Sequence, residues 1–327
     1  MQILVGDIGG TKTVLAVATI DGDRVTLTLQ QRYSSPDAAS LEDIVGRFLE
    51  ASNTACQLGS FAVAGPVVDG RSRTTNLPWE IDAASLSQRF GLQRVRLLND
   101  LEAVAWGIPA LGADDVEELQ AGAADATGNA CVVAAGTGLG QAGLYWDGEA
   151  HHPFATEGGH TDFAATDERE QALLASLQAQ FGRVSWERVV SGMGIGNIYR
   201  FLAEHRGAAH PPAIARALAG DGDVAAEVAA TAEAGCPVCN ETLDLFVNLY
   251  GREAGNAALK HMALGGVYLG GGIAPKSLPR LRGPHFLDGF LDKGRMRPLM
   301  ERMPVRVILN GQIPLLGAAR YMAAAAG

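Results

Sequence analysis

Long apolar runs and a surplus of basic residues are both missing from this sequence. No apolar stretch reaches the roughly 18 residues that a membrane-spanning helix needs. The N-terminus lacks a charged segment followed by an apolar one, so we expect no secretory leader and a cytoplasmic protein. Acidic residues outnumber basic ones by 36 to 26, for a net charge of −10. We therefore expect neither a membrane nor a nucleic acid as a partner.

Cysteine is also scarce, with four residues in a chain of 327. Cys236 and Cys239 form a Cys-x-x-Cys pair, a spacing found in zinc and redox sites. A structural zinc site needs a second pair, and Cys56 and Cys131 lie far away in the sequence. The residues that follow the pair continue an apolar helical face. We therefore interpret the two thiols as reduced core side chains rather than as metal ligands.

Glycine, in contrast, is abundant and clustered. The 41 glycines exceed the average usage of about 7%. They form four clusters: Gly9-Gly10, Gly158-Gly159, Gly265-Gly266 and Gly270-Gly271-Gly272. Because glycine has no Cβ, such clusters let the backbone approach a ligand closely. The clustering indicates several places where main-chain atoms contact a ligand.

The first cluster lies in a predicted hairpin between strands at residues 3–5 and 14–18. The intervening Gly6-Asp7-Ile8-Gly9-Gly10-Thr11-Lys12-Thr13 is followed by a strand, which excludes the Walker A and dinucleotide-binding motifs, since both need a helix there. Backbone N–H groups in such a loop can bind an anion. Asp7 would repel a phosphate unless Mg²⁺ lay between them, because that ion prefers carboxylate, water and phosphate oxygens. The alternative is a tight glycine hairpin with one solvated aspartate.

A second hairpin repeats this pattern. Predicted strands at 130–135 and 141–146 flank Gly136-Thr137-Gly138-Leu139-Gly140. Two such hairpins indicate a duplicated architecture in which each half offers a phosphate loop. A third glycine segment, Gly270-Gly271-Gly272, ends the predicted strand 267–269 and fits a base or ribose lying on the backbone. The alternative for this segment is a tight turn from strand to helix.

Polar residues follow the predicted strand 94–98. Asn99 and Asp100 lie at its carboxyl end, which is where parallel α/β sheets bind ligands. The alternative is that one of them only caps the helix predicted at 101–106. Capping and catalysis can coexist, since one residue can cap while the other reacts.

Two further segments carry candidate ligands. Glu157-Gly158-Gly159-His160 reads as a sharp loop that could direct a carboxylate and an imidazole at one ligand, although a lone histidine is more often structural. Glu187 lies in the first turn of a helix that we predict Ser185 to cap. Its default role there is stabilisation of the helix dipole.

The remaining pattern predicts mainly helices. Ser40 begins one with Leu41, Ile44, Val45 and Phe48 on its buried face. Asp82 or Ser85 caps a helix ending at residue 90, and Asp167 begins one ending near 181. The helix from Ser185 is expected to break or kink at 191–194 and to resume at 197–204. The segments expected after that are a helical region at 211–264, a strand at 305–309 and a helix at 314–325.

Taken in order, these motifs resemble bacterial glucokinases of the type without the zinc-binding repressor/kinase signature. The resemblance covers nearly the whole chain. The segments that carry it are Gly6-Asp7-Ile8-Gly9-Gly10-Thr11, Ala64-Gly65-Pro66-Val67, Thr75-Asn76-Leu77-Pro78-Trp79, Leu98-Asn99-Asp100, Gly136-Thr137-Gly138-Leu139-Gly140, Glu157-Gly158-Gly159-His160-Thr161-Asp162-Phe163, Glu187-Arg188-Val189-Val190-Ser191-Gly192 and Gly270-Gly271-Gly272-Ile273. Residues 162–172 contain no cysteine, which disfavours the zinc-binding branch.

The resemblance implies an α/β, actin-like (ribonuclease H-like) sugar kinase fold with a cleft between two lobes. The smaller lobe would be residues 1–110, completed by the C-terminal helix at about 301–327, and the larger lobe would be 111–300. Members of the family phosphorylate the 6-hydroxyl of glucose with ATP and Mg²⁺, usually as homodimers.

The resemblance also implies residue roles. Asp100 would be the general base, and Asp7 would act at Mg²⁺, directly or through water. The residues that would bind sugar hydroxyls are Asn99, Asp100, Glu157, His160 and Glu187. The residues that would bind ATP are Gly6, Asp7, Ile8, Gly9, Gly10, Thr11, Gly136, Thr137, Gly138, Gly270, Gly271 and Gly272. Lys12 stands where related glucokinases have Asn, so its contact with a phosphate is left open.

Two alternatives remain open at the level of sequence. One is a kinase for another hexose, such as mannose or an amino sugar. The other is an actin-fold ATPase that serves as a sensor, a regulator or a filament subunit. Such an ATPase would have no need to bring Asn99-Asp100 together with the segment from Glu157 to His160.

Overall fold

The computed structural model describes residues 2–21, 24–74 and 77–325. The motif residues Thr75 and Asn76 lie outside these ranges. The chain divides into two compact units. The first comprises the residues up to Val116, residues 152–155 and the residues from Asn310 onward. The second comprises 117–151 and 156–309.

The described residues contain 14 β-strands and 13 α-helices. The strands are β1 (Gln2–Ile8), β2 (Lys12–Asp21), β3 (Arg24–Ser34), β4 (Leu58–Val63), β5 (Val67–Val68), β6 (Arg71–Arg73), β7 (Glu80–Asp82), β8 (Arg94–Asn99), β9 (Val116–Gln120), β10 (Ala130–Ala135), β11 (Leu139–Trp146), β12 (His151–Thr156), β13 (Gly266–Gly270) and β14 (Val305–Ile308). The α-helices are α1 (Leu41–Ser52), α2 (Ala83–Phe90), α3 (Asp100–Gly107), α4 (Glu168–Phe181), α5 (Gly192–His205), α6 (Pro212–Leu218), α7 (Val224–Glu233), α8 (Pro237–His261), α9 (Ile273–Lys276), α10 (Leu278–Leu281), α11 (Pro284–Leu291), α12 (Arg297–Met300) and α13 (Ile313–Ala324).

Within the described residues, the first sheet has the strand order β3-β2-β1-β4-β8. Strands β1, β2 and β3 form an antiparallel meander, and β4 and β8 run parallel to β1. The register places Ile8 beside Val63 and Val63 beside Asn99. With neighbouring strands about 4.8 Å apart, the Cα atoms of Ile8 and Asn99 are separated by about 10 Å. The end of β8 therefore lies at the same sheet edge as the first glycine hairpin.

The second sheet repeats this design, as the paired glycine hairpins predict. Its strand order in the described residues is β12-β11-β10-β13-β14-β9. Strand β10 is antiparallel to β11 and parallel to β13, which is parallel to β14. Its central strand is again the first strand of a glycine hairpin. A small sheet of β5, β6 and β7, which the sequence did not predict, lies between β4 and α2 in the chain.

Several predicted helices have the expected caps and faces. In α1 the Ser40 hydroxyl accepts a hydrogen bond from the Asp43 N–H, and the four predicted apolar residues are buried. Asp82, rather than Ser85, caps α2. Asp167 caps α4 by accepting from the N–H of Glu170. Among the described residues, none of the helices could span a lipid bilayer.

The helix predicted from Ser185 is wrong. Residues Trp186–Arg188 form a single 3₁₀ turn, and the Ser185 side chain makes no capping hydrogen bond. The true helix, α5, begins at Gly192, with the Ser191 hydroxyl accepting from the Gly194 N–H at 3.0 Å. The break expected at 191–194 is found just before this segment, since the 3₁₀ turn ends at Arg188 and a new helix starts at Gly192. A Cβ built at Gly194 would lie 2.5 Å from the carbonyl carbon of Val189, so this glycine lets the helix pack on the preceding turn.

Candidate active site

The first glycine loop is shorter than the sequence predicts. Gly6, Asp7 and Ile8 belong to β1, and the turn comprises only Gly9, Gly10 and Thr11. Gly6 is buried, and a Cβ built there would lie 2.7 Å from Phe61 and 2.8 Å from Leu15 side-chain atoms. Gly6 thus serves close packing inside the sheet. The part of the segment that reaches the surface runs from Gly9 to Lys12.

A buried serine anchors this turn. The Ser35 hydroxyl donates to the carbonyl oxygen of Gly9 at 2.8 Å and pairs with the Thr13 hydroxyl at 3.0 Å. The Ser35 N–H also donates to the carbonyl oxygen of Thr11. Both hydroxyl-bearing side chains are fully buried. The backbone conformation of the turn is therefore fixed from beneath, as an anion-binding loop requires.

Asp7 occupies the carboxyl end of β1. Burial raises the pKa of Asp7, and the positive charge of Lys12 opposes the rise. A half-buried carboxylate that is costly to ionise gains from a nearby cation. One carboxylate beside phosphate oxygens and water is a donor set that Mg²⁺ accepts. The chemistry of this position therefore fits the ion that the sequence predicts there.

Asn99 and Asp100 join β8 to α3. The Asn99 side-chain oxygen caps α3 by accepting from the N–H groups of Leu101 at 2.9 Å and Glu102 at 3.3 Å. Its amide nitrogen donates to the carbonyl oxygen of Gly65 at 3.2 Å. Asp100 is the first residue of α3 and is half-buried. The Asp100 carboxylate also accepts from the Leu101 N–H, at 2.9 Å, so both residues cap α3 and both side chains stand at the ligand-binding edge of the first sheet.

In the second unit, the second glycine hairpin contacts Glu187. One Glu187 carboxylate oxygen accepts from the backbone N–H of Leu139 at 3.0 Å. A Cβ built at Gly138 would lie 2.4 Å from that same oxygen. Gly136 is linked to the start of α5, because its carbonyl oxygen accepts from the Gly192 N–H at 2.8 Å. The glycine at 138 thus leaves room for the carboxylate at this position, a link that the sequence did not reveal.

The turn that carries Glu157 and His160 packs on the same hairpin. Residues Gly158–His160 form a 3₁₀ turn. A Cβ at Gly159 would lie 1.9 Å from the Leu139 carbonyl oxygen, so glycine is needed for this approach. The Glu157 carboxylate and the His160 imidazole are both exposed and 3.9 Å apart. The predicted sharp loop is therefore confirmed, with its two polar side chains on one side.

Pairing between two extended segments brings Glu187 to this turn. The Phe163 N–H donates to the Val184 carbonyl oxygen, and the Trp186 N–H donates to that of Thr161. The rings of Phe163 and Trp186, both buried, pack edge to face with centroids 5.1 Å apart. Such aromatic pairs add stability beyond the area that they bury. Within the second unit, the structure thus brings together three predicted features that are distant in the sequence, namely the hairpin, the Glu-Gly-Gly-His turn and Glu187.

The triple glycine lies beside the second hairpin. Gly270 ends β13 opposite Ala134, and Gly272 precedes α9. Gly271 has a φ of +77°, and a Cβ there would lie 2.2 Å from the Ala135 carbonyl oxygen. Gly271 is therefore explained by backbone packing. A Cβ at Gly272 would meet nothing within 4 Å, so its surface is open to a ligand.

The cysteine pair lies within the core of the second unit. Cys239 is fully buried in α8, and Cys236 precedes the helix and packs against the same core. Burial raises the pKa of Cys239 to about 12, which keeps the thiol protonated. In the described part of the chain, no three His, Cys, Asp or Glu side chains are grouped as metal ligands would be. The interpretation as core residues is confirmed, and the lack of bound zinc stays a prediction.

Sequence reasoning missed the supporting residues of these motifs. The sequence does not single out Ser35, which lies beneath the first glycine turn. It also does not single out Gln141 and Glu253, which lie beneath the Glu157–His160 turn. Ser35 lies 26 residues from Gly9, and Glu253 lies 112 residues from Gln141. No local pattern carries a contact of that kind.

Comparison with known proteins identifies the family. The family model described as Glucokinase matches residues 4–325. The chain is 42% identical to a glucokinase of Nostoc punctiforme over 332 residues, which cover 97% of each protein. The crystal structure of a glucokinase from an Antarctic psychrotroph superposes with a TM-score of 0.85 at 32% identity, covering 99% of each chain.

A more distant structure shares the fold. It is a ROK family glucokinase from Streptomyces griseus in complex with glucose and AMPPNP, with a TM-score of 0.67 at 21% identity, covering 98% of this chain and 99% of that one. These matches confirm the actin-like sugar kinase fold that the sequence predicts. The protein belongs to the glucokinase family.

Proposed function

We propose that this protein transfers the γ-phosphoryl group of ATP to the 6-hydroxyl of D-glucose, forming glucose 6-phosphate and ADP. The observation that carries the proposal is the convergence of Glu157, His160 and Glu187 on one glycine hairpin, in a chain of the glucokinase family. Carboxylates and an imidazole suit a sugar, because each neutral hydroxyl both donates and accepts hydrogen bonds. A sugar that lacks one hydroxyl would leave such a group unpaired and would be rejected.

Asp100 is the proposed general base. A carboxylate beside the 6-hydroxyl orients that group and accepts its proton as the phosphoryl group is transferred. Asn99, whose side-chain oxygen already caps α3, would contact a sugar hydroxyl through its remaining hydrogen-bonding capacity. Its bond to Gly65 fixes the side chain in place. Phosphoryl transfer depends mainly on such positioning and on neutralising charge.

The glycine hairpins would bind the phosphates of ATP. The assignment covers Gly9, Gly10 and Thr11 in the first hairpin, and Gly136, Thr137 and Gly138 in the second. Gly6 and Ile8, which the sequence also suggested, are buried in β1 and are left out of it. The nucleoside would lie against Gly270, Gly271 and Gly272. Asp7 would hold Mg²⁺, directly or through water, and the bound ion would neutralise charge on the phosphate oxygens. Lys12, exposed beside the first turn, adds positive charge there.

The test is the formation of ADP from ATP and Mg²⁺ with a panel of sugars and a control without sugar. Strong turnover with glucose and little without it is the expected result. Turnover only with mannose or an amino sugar would keep the mechanism and change the substrate. Hydrolysis that does not depend on sugar would favour the actin-fold ATPase instead.

Assembly and location are separate proposals. We expect a homodimer, which a mass measurement in solution tests, since a monomeric mass at assay concentration would contradict it. We also expect a cytoplasmic protein, which fractionation of cells tests. Neither outcome bears on the catalytic assignment.

A further inference from the structure

Helix α8 carries a fully buried carboxylate, Glu253, to which the proposed reaction gives no role. Its Oε1 accepts from the Gln141 amide at 2.6 Å, and its Oε2 accepts from the Asn256 amide at 3.0 Å. Burial raises the pKa of Glu253, while these two donors and the charges of Lys260 and Lys293 oppose the rise. A buried carboxylate is costly. Two well-placed donors offset only part of that cost, so the presence of a carboxylate at this position needs a structural explanation.

The Gln141 amide lies between Glu253 and the Glu-Gly-Gly-His turn. Because Glu253 acts as the acceptor, Gln141 must present its NH₂ group to it and direct its oxygen the other way. That oxygen lies against Gly158, where a built Cβ would be only 2.1 Å from it. The buried carboxylate thus determines which end of the amide supports the turn.

The backbone of Gln141 supports the same turn a second time. The Thr156 hydroxyl donates to the Gln141 carbonyl oxygen at 3.1 Å and accepts from the Gly158 N–H at 3.4 Å. Strand β11 therefore holds the entry to the turn by a main-chain hydrogen bond and contacts the middle of the turn through the Gln141 amide oxygen. Every step of this chain of contacts from Glu253 to Gly158 lies within the second unit.

We propose that Glu253, acting through the amide of Gln141, is a positioning residue that sets the Glu157–His160 turn for sugar binding. The proposal rests on the function of that turn in glucose binding proposed above. It requires a hydrogen-bond acceptor at position 253 and does not require a charge. Glu253 is buried and reaches the sugar only through Gln141 and the turn, so its loss should weaken glucose binding and spare ATP binding.

The experiment compares Glu253→Gln with Glu253→Leu in the full-length protein. Glutamine keeps an oxygen for Gln141, and the Asn256 amide can rotate to pair with the new NH₂ group. Leucine has a similar volume and no acceptor. The matched control is Glu170→Gln, because Glu170 is a buried carboxylate of the same unit that pairs with Arg252 and not with Gln141. The readouts are the KM for glucose, the KM for ATP, kcat and the thermal unfolding midpoint.

We expect Glu253→Leu to raise the glucose KM about tenfold or more, with the ATP KM within about twofold, as loss of one buried hydrogen bond implies. In Glu253→Gln, the glucose KM and the ATP KM should both stay within about threefold of the wild-type values. Glu170→Gln should lower the unfolding midpoint and leave the ratio of the two KM values unchanged. An unchanged glucose KM in Glu253→Leu, equal shifts in both KM values, or a glutamine variant as impaired as leucine would overturn the proposal.

Gly158→Ala tests the same contact if the leucine variant does not fold. Its new Cβ would meet the Gln141 amide directly, and the glucose KM should again rise selectively. An unchanged glucose KM would overturn the proposal here too. Failure of the proposed function would look different, because the wild-type protein would then form no ADP in response to glucose.

Discussion

The Glu187 carboxylate accepts a hydrogen bond from the backbone N–H of Leu139 at 3.0 Å. This contact joins a residue that we propose to bind the sugar to a loop that we propose to bind phosphate, within one unit. One carboxylate oxygen is engaged by the loop, which leaves the other to meet a sugar hydroxyl. Glycine at position 138 leaves room for this contact, because a side chain there would push the bound oxygen out of its present position.

Gly138→Ala should therefore weaken glucose binding. The new Cβ would displace the tip of Glu187 and break its bond to Leu139, a charge-assisted hydrogen bond whose loss raises the glucose KM about tenfold or more. Steady-state kinetics with varied glucose measure the change. Gly311→Ala is the control, since a Cβ there would meet nothing within 4 Å. If glucose KM stayed at the wild-type value, Glu187 would not need this geometry.

Asp100→Ala should reduce kcat by at least about 10²-fold, because the 6-hydroxyl would lose the group that orients it and accepts its proton. Glucose binding, measured by calorimetry, should remain largely intact. Asp114→Ala, which removes an exposed carboxylate of the same unit, is the control and should leave kcat unchanged. An unaltered kcat in Asp100→Ala would remove this residue from the role of base.

Ser35→Ala should raise the ATP KM with little effect on the glucose KM. The variant removes the donor to the Gly9 carbonyl oxygen and the partner of the Thr13 hydroxyl, so the first turn loses its anchor. Leaving such buried groups unpaired costs about 1–3 kcal/mol of stability. The measurements are kinetics with varied ATP and a denaturant unfolding curve.

Ser60→Ala is the matched control for that experiment. Ser60 is fully buried in β4, and its hydroxyl has no hydrogen-bond partner among the described residues. Its removal should therefore cost little stability and leave both KM values unchanged. Equal ATP KM shifts in Ser35→Ala and Ser60→Ala would show that Ser35 has no specific effect on the turn.

The lowered pKa of Lys293 predicts that the stability of the protein depends on pH. Burial lowers its pKa to about 8 from the ordinary value of 10.5, and the nearby Arg252 adds to the effect. The unfolded chain then binds more protons than the folded one between these values, so this residue makes stability rise as pH increases from about 8 to about 10.5. Below pH 8 the charged, half-buried ammonium destabilises the folded state.

Lys293→Met removes this contribution and keeps the length of the side chain. The difference in unfolding free energy between wild type and variant, measured in urea at several pH values, should shift in favour of the wild type from pH 8 to pH 10.5. Comparing the two proteins cancels the titration of all other groups. Parallel curves over this range would contradict a lowered pKa for Lys293.

Much of the fold could be predicted because the residues that specify it lie close together in the sequence. The apolar face of α1, the Asp82 and Asp167 caps and the two glycine hairpins each depend on residues within a few positions of one another. The small sheet β5-β6-β7 was missed because its strands are two or three residues long and show no period. The prediction of a helix from Ser185 is wrong because Ser185 has the chemistry of a capping residue, whereas the helix is capped by Ser191.

The sequence by itself determined the family, the fold class and the identity of the candidate site residues, because those motifs consist of short runs of glycine and polar side chains. Only the tertiary structure decided how they are supported. Contacts such as Ser35 to Gly9, Glu187 to Leu139 and Glu253 to Gln141 join residues that lie far apart in the chain. Packing of separate elements creates such contacts, and no local pattern of residues encodes which buried hydroxyl or carboxylate will meet which backbone.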